Sequence, residues 1–155
     1  MYYTIQNNQL LTADKKESLT RFYEDVKPLP NDYMQGKYIV ENNELVLNPN
    51  FEAEKEQQEK ERIAKLYLTG ADVERGIYQA KGMDFEDIIE LVTKLQPERL
   101  DIKALKIELK ANNFYRGNPY VEAIGQLLGF TSEQLDKFFE TNDYTVLLDI
   151  PSENV

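Results

Sequence analysis

The sequence contains neither cysteine nor histidine. Without cysteine there are no disulfides, no thiolate nucleophile and no cysteine-ligated metal, and a reducing compartment is compatible with the chain. Without histidine, the commonest general base, the Ser-His triad and nearly all zinc or iron ligation are removed as well. No apolar run approaches the ~18 uncharged residues of a membrane span. The N-terminus has no basic stretch followed by an apolar one, so no signal peptide is expected. P-loop, dinucleotide glycine fingerprint and nucleophile elbow are all missing. Of the usual catalytic side chains only carboxylates, lysine and tyrosine are left. No enzyme activity, cofactor or metal is expected.

What is present is acid. Eighteen basic residues stand against 28 acidic ones, for a net charge of −10. Such a surface repels phosphate backbones, so direct nucleic-acid binding is not expected. At its plainest the charge keeps the protein in solution. A sharper reading is an acidic decoy that occupies a basic, nucleic-acid-binding surface of another protein. The chain's 155 residues suffice for one domain, or for two small units sharing a helix.

The first fifty residues have β character and use one phrase twice. YYTIQNNQLL (2–11) and KYIVENNELVL (37–47) each run from tyrosine through β-branched residues to Asn-Asn and then leucine. Asparagine tolerates left-handed backbone angles, so Asn7-Asn8 and Asn42-Asn43 suit the primed turn of a two-residue hairpin. The pair reads as two hairpins of one small sheet; if it binds anything, an exposed strand edge accepting a partner's strand is the route. The segment between them, 14–36, reads as a loop with a short strand or turn at 21–26. NPNF (48–51) then starts a helix, and FEAEKEQQEKERIAKLYL (51–68) continues it with strong helix formers. It is polar all round until Ile63, Leu66 and Tyr67, as in a solvated connector that docks at its far end. Pairing with a copy of itself, giving a homo-oligomer, is a lesser option.

From Thr69 the chain is a series of short amphipathic helices with clear punctuation. Thr69 or Asp72 opens the first, which ends at Lys81-Gly82. Asp84 caps the second, Asp101 the third, Asn118-Pro119 opens the fourth, and Thr131 with Gln134 forms a capping box for the fifth. Short amphipathic helices bury their stripes only against one another, which implies a bundle. The expected organisation is therefore α+β: a β-hairpin module at 1–50, a charged connector helix at 51–68, a small helical bundle at 69–143 and a tail at 144–155. The tail segment YTVLLDIP (144–151) either covers the bundle or adds an edge strand to the N-terminal sheet.

Three stretches carry candidate chemistry. VEAIGQLLGFTSEQLDKFFE (121–140) has helix-turn-helix spacing through Gly125, Gly129, Leu135 and Phe138. That spacing reports tight helix packing first and DNA binding second, because the groove-facing residues would be Ser132, Glu133, Gln134, Asp136 and Lys137. NNFYRGNPY (112–120) is either a structural turn, with Asn112 and Gly117 supplying left-handed angles, or a partner-facing loop. In the second case Tyr115, Arg116 and Tyr120 are the contacts, since tyrosine and arginine are common interface anchors. GMDFEDIIE (82–90) lacks the alternating acids of a calcium loop, and Asp84 as a helix cap explains it.

Residues 28–66, PLPNDYMQGKYIVENNELVLNPNFEAEKEQQEKERIAKL, resemble small proteins encoded by bacteriophages and prophages near their tail or tail-fibre genes. The match lies in the β-rich start, the NPxFE-type helix opening and the Glu/Lys-rich helix. YLTGADVERGIYQAKGMDFEDIIELV (67–92) resembles the segment that follows in some of them, so the likeness covers about residues 1–95. It implies a tail-associated accessory or assembly protein in the bacterial host cytoplasm or the virion, acting on a phage or host protein without catalysis. The competing expectation is a counter-defence inhibitor of the anti-CRISPR type, which uses acidic surface to block a host nucleic-acid-binding or nuclease protein.

Overall fold

The computed structural model describes residues 1–98 and 100–148. The architecture is α+β, and contacts divide the chain into two units, Met1–Gln57 and Gln58–Val155. The division falls inside one helix.

In the first unit, β1 (Tyr2–Gln6) and β2 (Gln9–Ala13) form an antiparallel hairpin, as do β4 (Tyr38–Glu41) and β5 (Glu44–Leu47). Asn7, Asn8, Asn42 and Asn43 have φ of 50°, 62°, 52° and 60°. Two consecutive residues at positive φ make the type I′ turn that matches strand twist, as the Asn-Asn pairs predict. The hairpins do not share a sheet, however. β1 is flanked by β2 and by β3 (Lys27–Pro28), whereas among the described residues β4 and β5 pair only with each other. Between the hairpins, the expected loop contains α1 (Lys16–Thr20) with buried Leu19; of the strand or turn expected at 21–26, a turn is present at Arg21-Phe22, and a strand follows just after, at Lys27–Pro28. One apolar residue in a five-residue helix is too little for a periodic signal; packing against β1 and β2 holds it. Before β4, Asp32 accepts hydrogen bonds from Lys37 Nζ and from the Tyr38 hydroxyl, both at 2.7 Å. Those bonds, the lysine's first, hold the Asp32 carboxyl below its ordinary range.

Helix α2 runs from Phe51 to Ala64 and buries none of its residues. It is shorter than expected: Tyr67–Thr69 is a strand, β6, paired antiparallel with β7 (Asn113–Tyr115). The backbone explains this ending. The Gly117 amide donates to Ala64 O at 3.1 Å, so a distant donor satisfies the helix's last carbonyl, and the Arg116 amide donates to Leu66 O at 2.8 Å just beyond the helix. Gly117 does not supply a positive φ. A Cβ there would lie 3.0 Å from both Cβ and O of Ala64, so glycine is needed for close approach.

The helices α3 (Gly70–Lys81), α4 (Phe85–Leu95), α5 (Ile102–Glu108), α6 (Pro119–Leu127) and α7 (Ser132–Thr141) follow. Thr69, Asp84, Asp101, Asn118 and Thr131 cap them, and Asp84–Asp87 and Thr131–Gln134 close full capping boxes. Ile88, Val92, Leu105, Leu135 and Phe138 anchor one apolar core. The tail covers the bundle: Tyr144–Leu147 is a 3-10 turn whose Leu147 enters the core, not a strand. Residues 149–151 of the expected segment lie outside the described residues.

Candidate interaction site

The β6–β7 ribbon has one face in the core and one in water, because side chains alternate along a strand. Leu68 and Phe114, directly opposite each other, are buried. On the outer face Tyr67 lies opposite Tyr115, with ring centroids 5.7 Å apart and planes inclined by 46°. Tyr67 is 57% exposed and Tyr115 51% exposed. Paired aromatic rings in water retain a large apolar area that a partner surface can cover.

Arg116 points the other way. The residue is 8% exposed. Its Nε donates to Asp136 Oδ1 at 2.7 Å, and its Nη2 lies 2.8 Å from Glu122 Oε2 and 3.3 Å from the Ser132 carbonyl. Glu122 also accepts from the Ser132 hydroxyl. Burial disfavours the charged form of Glu122, but the Ser132 hydrogen bond and the Arg116 charge outweigh it and hold the carboxyl below its ordinary range. This network joins β7 to α6 and α7 and fixes the ribbon's orientation on the helices. Of the three residues read from sequence as partner contacts, Tyr115 is therefore on the surface and Arg116 is committed to the protein's own carboxylates. Tyr120 is partly buried against the core. Tyr67, which belongs beside Tyr115, was hidden from sequence reasoning by the strong helix formers that precede it.

The helix-turn-helix spacing is used for packing. A Cβ on Gly125 would sit 2.5 Å from Leu135 Cδ1, so α6 and α7 approach closely only because that Cβ is missing. Of the five residues that would face a DNA groove, Ser132 bonds Glu122 and Asp136 bonds Arg116. Gln134 is buried, with bonds to the Thr131 amide and to Val146 O. A mostly apolar cavity of about 40 Å³ lies among Ile77, Leu105, Phe114, Ile124 and Phe138, with Glu108 and Tyr120 also in its lining. It is far below the ~300 Å³ of a small-molecule pocket. At the end of α2, Arg62 donates to both Glu59 and Glu140, and these two bonds raise its pKa. Among the described residues no helix is long and apolar enough to cross a membrane.

No protein-family profile, no curated protein and no solved structure matches the chain.

Proposed function

We propose that the protein is a non-catalytic interaction protein whose contact surface centres on Tyr67 and Tyr115. The observation that carries this reading is the exposed tyrosine pair on a ribbon braced from behind by Arg116. Rigid, half-exposed aromatics give interface area at low entropic cost, which is why they recur as binding anchors. The resemblance of residues 1–95 to proteins encoded beside phage tail genes supports a tail-associated accessory or assembly role. The net charge of −10 favours one second reading, an acidic counter-defence inhibitor that blocks a host nucleic-acid-binding or nuclease protein.

Pull-down from phage-infected cells with the tagged protein separates these readings. Recovery of a virion protein, lost in the Tyr67→Ser/Tyr115→Ser variant while its circular dichroism is unchanged, is the expected result. Recovery of a host nuclease and no virion protein, in a complex that weakens with ionic strength, would establish the inhibitor reading instead. Capture by the double-serine variant equal to wild type would remove the tyrosine pair from either mechanism.

A further inference from the structure

The first unit contains one hairpin twice, and the repetition goes beyond sequence. Ile5 pairs with Leu10 as Val40 pairs with Leu45, and Thr4 pairs with Leu11 as Ile39 pairs with Val46. The two turns clasp each other reciprocally. The Asn8 amide donates to Asn43 Oδ1 at 2.7 Å, and the Asn43 amide donates to Asn8 Oδ1 at 3.0 Å. Exchange of the same bond in both directions is the mark of an approximate two-fold relation between the hairpins. Tyr3 and Ile5 of the first hairpin and Leu45 of the second line one hollow of about 210 Å³, together with Asp25, Lys27 and Glu44.

The reverse faces are not treated alike. On the first hairpin that face carries Thr4 and Leu11. Thr4 is only 1% exposed, and α1 packs on both strands with Leu19 buried. On the second hairpin the corresponding pair is Ile39 and Val46, more apolar than Thr4 and Leu11. Yet Ile39 is 39% exposed, and no other helix or strand among the described residues packs broadly on β4 or β5. The next pair along the same face also differs. Gln6 opposite Gln9 in the first hairpin becomes Glu41 opposite Glu44 in the second. Like charges directly across a ladder are unfavourable. The second hairpin thus has an apolar pair, exposed at Ile39 and half-buried at Val46, with two acids beside it, and no helix packs broadly on its strands as α1 does on the first hairpin.

We propose that the Ile39–Val46 face seats a short cationic amphipathic helix from a partner protein. An apolar residue of that helix takes the place that Leu19 takes on the first hairpin, and its lysines or arginines meet Glu41 and Glu44. The carboxylate pair supplies the charge complementarity: a cation between them turns a repulsive pair into two attractions. The surface is separate from the Tyr67–Tyr115 pair and does not depend on it.

The test titrates the full-length, ¹⁵N-labelled protein with a stapled helical peptide carrying one leucine flanked by lysines. A matched peptide with glutamates in place of the lysines serves as control. The lysine peptide is expected to shift the amides of Ile39, Glu41, Glu44 and Val46 and to leave Thr4 and Leu11 in place, while the glutamate peptide has no effect. Glu41→Gln/Glu44→Gln, which leaves the hairpin as uncharged as its counterpart, should weaken binding about tenfold, the combined worth of two partly exposed ion pairs. Ile39→Ser should abolish saturable binding, whereas Tyr67→Ser/Tyr115→Ser should bind like wild type. Shifts scattered over acidic residues at large would overturn the proposal, as would an undiminished affinity in the double-glutamine variant. Concentration-dependent shifts of the same four amides without peptide would assign the face to a second copy of the chain and overturn it too.

Discussion

The two units solve the problem of stability in different ways. The helical unit concentrates it in one core, where Ile88, Val92, Leu105 and Phe138 are almost wholly removed from water. The hairpin unit buries little besides Thr4, Leu19 and Leu29, and holds itself through strand ladders, primed turns and the Asn8–Asn43 clasp. Burial is non-directional and tolerates exchange of similar volumes, whereas turn geometry and reciprocal hydrogen bonds depend on particular residue types. Substitutions in the two regions should therefore fail by different mechanisms and by different amounts.

The largest effect is expected from Phe138→Ala. Removing a fully buried ring should cost about 3–5 kcal/mol, read as a lowered urea midpoint of the far-ultraviolet helical signal. Hairpin amides followed by NMR should outlast that transition. Simultaneous loss of both signals would break the contrast between the units. Next comes Arg116→Met, which leaves Glu122 and Asp136, each about one-third exposed, without their shared cation, at a cost of about 2 kcal/mol. The pH dependence follows from Glu122. Its pKa is lower folded than unfolded, so its contribution is complete above the unfolded carboxylate range and is lost as pH falls through the folded value. Arg116→Met should accordingly flatten the acid limb of the stability profile below about pH 5, measured by urea titration at each pH.

Gly125→Ala is expected to cost about 1–2 kcal/mol, since the new methyl meets the end of the Leu135 side chain rather than backbone. A cost near zero would mean that α6 and α7 separate easily. The smallest effect sharpens the account of the hairpin unit. Asn8→Gly keeps the left-handed turn and removes one direction of the clasp, at about 0.5 kcal/mol. Asn8→Ala also strains the backbone and should cost about 1–2 kcal/mol more. Hydrogen exchange of the β1–β2 and β4–β5 amides distinguishes the two, and equal protection in both variants would show that the turn angle contributes nothing.

Features coded within a few residues were legible in the sequence. Asp84 as a helix cap, Thr131 with Gln134, and the four positive-φ asparagines of the turns are local chemistry, and the structure has each of them. Features that depend on distant partners were not. Tyr67-Leu68-Thr69 is too short for alternation to register, and its strand exists because Asn113-Phe114-Tyr115 arrives beside it. Arg116 had the chemistry of an interface anchor, but nothing in its neighbours said that Glu122 and Asp136, two among 28 acids, would enclose it. The division of the two hairpins between separate sheets was likewise invisible, since equal strand patterns are compatible with either arrangement.

Pairing of β6 with β7 closes a covalent loop that contains α3, α4 and α5. Short helices with good caps form within about a microsecond, but joining the ends of a long loop must wait until enough contacts offset its closure entropy. The ribbon is therefore expected to close late in the folding of the helical unit. The chain has no tryptophan to dominate its emission, and Tyr67 and Tyr115 come within stacking distance only when the ribbon closes. In stopped-flow refolding, the tyrosine signal removed by Tyr67→Phe/Tyr115→Phe should be the slow phase, arriving after most of the helical circular dichroism has been recovered.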